Sequence, residues 1–322
     1  DDLWMAIDPY HYCHADRVGK LKVLVVTHNL NLEGAPLIVY NYARYFANVG
    51  GYQVKVISPE DGVLGEFYEK LNIPVKIVPK QLPLADELLD EYRHRLKKLG
   101  QSLNLASFDL VVCNTLTTSW AVELARLFNL PSIWHIHESI PAEKSLKVCF
   151  GEADELSMRE LLKDCFSNAT RIVFQSQTTC NIFQNLNAKD NFRTLPGSVP
   201  IATINQFRQT HTKNELRAKY GINSNDIVLL MVGTICERKG QHILVEAIAE
   251  LRELYPEQDR KFYCAIVGGS VRSYLNFVKH QIQKLNLPNV HIFQETKEIY
   301  DFFALSDLCL LYTSDAADDT PC

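Results

Sequence analysis

The sequence predicts an α/β protein made of two doubly wound domains, and three features carry that prediction. Short apolar runs alternate with amphipathic, helix-periodic stretches from residue 20 to about 195, as in a parallel sheet covered on both faces. The stretch Leu195-Pro196-Gly197-Ser198-Val199-Pro200 places two prolines and a glycine in six residues, which suits a linker. A second alternating series runs from residue 212 to about 308. At 322 residues the chain is long for a single core. The expected organisation is a lead-in over 1–19, a first domain over 20–195, a hinge over 196–211, an incomplete second domain over 212–308 and a tail over 309–322.

The first domain opens with Lys22-Val23-Leu24-Val25-Val26, which reads as a buried strand. A loop over 27–33 leads to Gly34-Ala35-Pro36, where proline is favourable because its missing N–H costs nothing at a helix start. The following helix is expected to bury Ile38, Tyr42, Tyr45, Phe46 and Val49, which share one face, before Gly50-Gly51 ends it. A strand over 53–57 completes one β-α-β unit. Helices near 63–71, 84–99, 117–128 and 155–165 then alternate with strands at 75–78, 109–112, 132–136 and 172–174. In the second domain a short helix near 213–220 precedes a strand over 227–232. The next helix, from 242 to about 254, is expected to bury Ile243, Leu244, Ala247, Ile248 and Leu251. Strands at 262–267 and 290–293, helices at 274–285 and 299–305, and a fourth strand opening at Leu308 complete the series.

A net charge of −5 gives no overall pull towards nucleic acid, so no nucleic-acid partner is expected. No apolar run approaches the roughly 20 residues of a bilayer-spanning helix, and no signal peptide is visible. The expected location is cytoplasmic, with at most a peripheral contact at the membrane face. Nine scattered cysteines form no CxxC pair and read as reduced thiols. His11-Tyr12-Cys13-His14 offers metal ligands without a partner set, so no metal is assigned. The chain begins Asp1-Asp2-Leu3 rather than with methionine, and Cys309 to Asp319 resembles a translated sequencing adapter. The expectation is a fragment, native to about Leu308 and inactive on its own.

In open parallel sheets ligands bind beyond the C-terminal ends of the strands. Three loops at such ends carry chemistry. In Asn31-Leu32-Glu33-Gly34-Ala35, Gly34 lets a phosphate approach a helix start, or is a plain turn glycine. Trp134-His135-Ile136-His137-Glu138-Ser139 ends a strand with two histidines and a carboxylate, His135 and His137 on one face and Trp134 and Ile136 on the other. In Val232-Gly233-Thr234-Ile235-Cys236-Glu237-Arg238-Lys239-Gly240-Gln241 a buried strand delivers two cations to the mouth of a helix. Helix-end N–H groups and the helix dipole favour an anion there, a diphosphate above all. The plain alternative is a solvated Arg-Lys pair at a helix start.

These words in this order resemble glycosyltransferase family 4. The matching pieces are Glu33-Gly34-Ala35, His137-Glu138, Gly233 to Gln241, Ala265-Ile266-Val267-Gly268-Gly269, and Ile299-Tyr300 through Ser306-Asp307-Leu308. The resemblance covers about residues 20–308. It implies the GT-B fold, two Rossmann-like domains facing a cleft, and sugar transfer from a nucleotide-sugar donor to a glycan or lipid-linked acceptor with retention at the anomeric carbon. It further implies that Gly34, Arg238 and Lys239 bind the donor diphosphate and that His137 and Glu138 form the catalytic pair. His135, Gly233 and Gly268 would line the cleft, and no metal cofactor is expected. Two departures stand out. Thr234 occupies a place where the family often has arginine, and the family's Glu-x7-Glu segment does not follow Leu308.

Rival readings make different demands. A nicotinamide dehydrogenase needs a Gly-x-Gly-x-x-Gly turn after the first strand, and only Gly34 stands there. A non-catalytic nucleotide-sugar-binding subunit or a GT-B nucleotide-sugar epimerase uses the same fold.

Overall fold

A computed structural model describes residues 20–84, 87–140, 155–197, 201–256 and 262–310. The His11–His14 cluster and the tail beyond Leu310 lie outside them. The chain divides into two compact units between Gly197 and Ser198.

In the first unit the strands are β1 (Lys22–Val26), β2 (Gln53–Ser58), β3 (Val75–Ile77), β4 (Leu110–Asn114), β5 (Ser132–Ile136), β6 (Arg171–Phe174) and β7 (Phe192–Thr194). They form one parallel seven-stranded sheet in the order β3-β2-β1-β4-β5-β6-β7. Side chains alternate between its faces as the strand period demands. Leu24, Val26, Val111, Cys113, Trp134, Ile136, Ile172 and Phe174 pack into one apolar cluster, and Val23, Val25, Leu110, Val112, Ile133 and Val173 into another. The order reverses between β1 and β4, so the ends of these two strands flank the switch point where doubly wound sheets bind ligands.

The helices of this unit are α1 (Gly34–Asn48), α2 (Leu64–Lys70), α3 (Leu89–Ser102), α4 (Ser119–Leu127), α5 (Glu155–Asn168) and α6 (Gln177–Ile182). The face that α1 buries is not the one expected. Ala35, Pro36, Val39, Ala43 and Phe46 are buried, whereas Tyr45 is 38% and Val49 69% exposed. Small alanines let α1 lie close to the sheet, which turns the larger tyrosines to its flanks. β7 and α6 had no counterpart in the sequence reading.

The second unit begins with α7 (Ile201–Thr210), so the stretch expected to be a hinge contains a ten-residue helix. Its polar composition buries no residue, which is why it reads as linker. Then follow α8 (Lys213–Lys219), β8 (Ile227–Val232), α9 (Gln241–Leu254), β9 (Phe262–Val267), α10 (Arg272–Lys284), β10 (Val290–Phe293), α11 (Ile299–Leu305) and β11 (Leu308–Leu310). The parallel sheet runs β10-β9-β8-β11, which places the switch point at β8. Helix α9 buries Gln241, Val245 and Ile248, while Ile243, expected inside, is 61% exposed. An ion-pair cluster ties α8 to β11, with Asp307 accepting from Arg217 at 2.6 Å and pairing with Lys213.

Candidate functional site

Each unit gathers polar groups at its switch point. In the first, β1, β4 and β5 end side by side, with Val26 opposite Cys113 and Asn114 opposite His135. That register puts Asn114, His135 and His137 on the same face. The imidazoles of His135 and His137 stack with centroids 4.1 Å apart, while Trp134 and Ile136 point into the core behind them. His28, two residues past the end of β1, is buried and acts electrostatically on His137.

These buried groups hold polar atoms without hydrogen-bond partners among the described residues: both ring nitrogens of His28 and of His137, Nε2 of His135, and both amide atoms of Asn114. Such clustering is unusual, because a buried polar group left unpaired costs roughly 1–3 kcal/mol. Burial pushes the His135 pKa down to about 3. Burial, aided by His135 and His28, holds His137 well below the ordinary histidine range. Both rings are therefore neutral at physiological pH and present hydrogen-bonding nitrogens rather than charge.

Glu138 is fully buried. Its carboxylate accepts from the Leu116 N–H at 2.7 Å and the His137 N–H at 3.2 Å. Burial raises its pKa, and these backbone bonds only partly offset the rise. The Leu116 bond fixes the turn after β4, where Thr115 takes φ +65°. The same turn is held by Thr115 N–H to the His135 carbonyl at 2.7 Å and by Trp134 Nε1–H to the Thr115 carbonyl at 2.7 Å.

Gly34 is the first residue of α1 and half-buried. Pro36 has no N–H, so Gly34 and Ala35 carry the donors of the first turn. Glu33 does not cap the helix. Its carboxylate turns back to accept from Asn29 Nδ2 at 3.2 Å and lies 3.9 Å from His28 Nε2. Burial raises the pKa of Glu33, but His28, Asn29 and Asn31 outweigh it and leave the pKa lowered.

In the second unit, Gly233 and Gly268 carry the β8–β9 pairing past the strand ends. The Gly233 N–H donates to the Val267 carbonyl at 3.0 Å, and the Ile235 N–H to the Gly269 carbonyl at 2.7 Å. Gly233 takes φ +149°, and a Cβ on Gly268 would lie 2.1 Å from the Gly233 carbonyl oxygen. A turn over Glu237–Lys239 then reaches Gly240, at φ +70°, and the start of α9. Lys239 is buried with its Cε 3.9 Å from where a Gly233 Cβ would be, whereas Arg238 is exposed. Gln241 Nε2 donates to the Thr234 carbonyl at 3.0 Å, stapling turn to helix. The His242 N–H donates to Tyr274 Oη at 3.2 Å, so part of the helix-start donor set is already engaged.

Among the described residues no group of three or more His, Cys, Asp or Glu is arranged to hold a metal ion, and no helix is long and apolar enough to cross a membrane.

The family model for Glycosyltransferase Family 4 matches residues 32–202, just over half of the chain, and that for Glycosyl transferases group 1 matches 212–315. The chain belongs to glycosyltransferase family 4. This family 4 chain is 26% identical over 234 residues to spore coat protein SA of Bacillus subtilis (strain 168), covering 68% of itself and 57% of that protein. It is 26% identical over 212 residues to D-inositol 3-phosphate glycosyltransferase of Arthrobacter sp. (strain FB24), covering 64% of itself and 48% of that protein. It thus spans about half the length of these curated relatives. Among solved structures, Anabaena Alr3699/HepE in complex with UDP and glucose superposes with a TM-score of 0.69 at 19% identity, covering 90% of this chain and 73% of that one. The fold is GT-B, with a Rossmann-like sheet in each unit.

The sequence-predicted residues fall into two sets, His135, His137, Glu138 and Gly34 at the first switch point and Gly233, Arg238, Lys239 and Gly268 at the second. His28, Asn114, Tyr42 and Gln241 were missed. Gln241 alone stood inside a quoted motif, and the other three meet the site only through sheet register and helix packing.

Proposed function

We propose that the protein transfers a sugar from a nucleotide-sugar donor to a hydroxyl of a glycan or lipid-linked acceptor, with retention at the anomeric carbon and without a metal. The observation that carries this reading is Lys239, buried two residues before the start of α9, with its stem beside Gly233 at the end of the switch-point strand. When the anomeric C–O bond breaks, its electron pair stays on the diphosphate. A fixed ammonium and the helix dipole stabilise the charge that develops there. Arg238, exposed beside it, adds a second cation. The leaving phosphate oxygen takes the acceptor's proton. His137, neutral and with both ring nitrogens unpartnered among the described residues, hydrogen-bonds sugar hydroxyls rather than donating a proton as an acid. Glu138, bonded to two backbone N–H groups, shapes that half of the machinery.

Support for the donor class comes from the UDP and glucose held by the Anabaena structure. We read the acceptor as a cell-surface glycan or glycolipid, reached by peripheral contact at the cytosolic membrane face. In a UDP-release assay of the full-length protein with UDP-glucose and other UDP-sugars, Lys239→Ala should cut turnover by roughly 10²-fold or more while the far-UV CD spectrum stays unchanged. Unchanged turnover would sink the assignment. A non-catalytic nucleotide-sugar-binding subunit is the second reading, favoured by the coat-protein name of the B. subtilis relative. Binding of UDP-glucose without turnover, with or without acceptors, would select it.

A further inference from the structure

Tyr42 has no role in the reading so far, yet it touches the first-unit site directly. Its hydroxyl oxygen lies 3.0 Å from Nδ1 of His135, and the two rings are stacked with planes 18° apart. His135 is in turn stacked on His137 at 4.1 Å. One hydrogen serves the Tyr42–His135 bond, and the protein must choose which atom supplies it.

If Nδ1–H donated to Tyr42, the phenol would keep an O–H with no acceptor among the described residues, and Nε2 of His135 would be a bare, buried acceptor. If the phenol donates, its hydrogen is used and the imidazole proton sits on Nε2, leaving one unmatched group instead of two. An unmade bond at a buried polar atom is costly, so the second arrangement wins. Burial holds the Tyr42 hydroxyl protonated far above the ordinary tyrosine range, so its hydrogen is there to donate.

We propose that Tyr42 is a positioning residue of this site. Its hydroxyl fixes His135 as the Nε2–H tautomer and, through the stack, fixes the ring of His137 for sugar binding. His135 thereby presents Nε2–H as a donor to a ligand oxygen, and the orientation of His137 is set from α1 rather than by β5 alone. The proposal rests on the sugar-binding reading of the His137 site.

Long-range 1H–15N NMR on the full chain labelled with 15N-histidine reads the tautomers directly. His135 is expected to show a protonated Nε2 and a bare Nδ1. Tyr42→Phe keeps the ring stack and removes the hydroxyl, so it should move His135 towards a tautomer mixture and shift the His137 signals. In the UDP-release assay the same variant should lower kcat roughly ten-fold with KM little changed, short of the ~10²-fold loss of a 1 Å misplacement. An Nδ1–H signal in the wild type, unmoved histidine signals in Tyr42→Phe, or an unchanged kcat each overturns the proposal. Absence of turnover in the full-length wild-type protein defeats the glycosyl-transfer reading instead, and the NMR result then decides the tautomer by itself.

Discussion

At the end of β4 the chain turns on Thr115, a β-branched residue at φ +65°, whereas at the end of β8 it turns on Gly233 at φ +149°. A β-branched residue at positive φ costs of order 1–3 kcal/mol and persists only where its surroundings over-determine it. Here the His135 carbonyl, the Trp134 indole and the Glu138 carboxylate do so. Glycine carries no such penalty. The first unit therefore shapes its strand end with directed polar bonds, some from titratable groups, and the second by leaving side chains out. The first solution should be sensitive to proton concentration and the second to steric change.

Gly268→Ala attacks the steric solution and carries the largest expected effect. The new Cβ would lie 2.1 Å from the Gly233 carbonyl oxygen and 2.7 Å from its carbon, and backbone has no flexible end to move aside. The β8–β9 pairing beyond the strand ends must give way, at a cost of about 3 kcal/mol or more. Hydrogen exchange should quicken at β8 and β9 amides and stay unchanged at β1 and β4. Equal protection of all four strands in variant and wild type would mean that the close approach is not needed.

Acid attacks the polar solution. Burial pushes His135 down to about 3, and burial with its histidine neighbours pushes His137 well below its ordinary value. In the unfolded chain both take a proton near pH 6.5. Below that pH the unfolded state binds more protons than the folded one, so stability falls as pH falls, down to about 3 for His135. Each group removes up to about 1.4 kcal/mol per pH unit. Glu138, raised by burial, works in the opposite sense, because the folded state takes up its proton first. Between pH 7.5 and 5.5 the two histidines together remove up to about 2.7 kcal/mol, and Glu138 offsets part of that loss. Thermal melts at the two pH values, with His135→Gln expected to flatten the difference, check this. A melting temperature for the first unit that ignores pH would contradict the neutral-histidine description.

What could be read in the sequence follows the same division. Apart from Gly268, the second-unit site lies in one continuous string from Gly233 to Gln241, so its parts were visible together. Most strands were equally plain, because runs such as Ile227–Val232 are apolar throughout, whereas β7 (Phe192–Thr194) holds a single apolar residue. In the first unit only His135, His137 and Glu138 share a string. Asn114 and His28 reach them through the β1–β4–β5 register, which no local pattern encodes. Tyr42 was noticed but placed inside the core. A hydrophobic stripe ranks residues by size, whereas α1 packs through Ala35 and Ala43, and α9 through Val245 rather than Ile243. Small residues that permit close approach are quiet in such a stripe, and the helix faces came out rotated for that reason.

Tyr274→Phe gives the smallest expected effect and sharpens the comparison from the other side. Tyr274 is, with Gln241, an exception in the second unit, a polar side chain that shapes a switch-point loop as Glu138 does in the first. Its hydroxyl accepts the His242 N–H at 3.2 Å and lies 2.7 Å from His242 Nδ1. Unlike the Leu116 N–H held by Glu138, this N–H sits beside half-buried residues that water can reach. Removing the hydroxyl should cost only about 1 kcal/mol, the net worth of a neutral hydrogen bond whose partner can be rehydrated. The variant releases one donor at the start of α9, so UDP binding measured by calorimetry should weaken less than about three-fold or tighten, for a difference within about 0.7 kcal/mol. A loss comparable to that of Gly268→Ala would show that directed polar bonds, and not glycine alone, hold the second site in place.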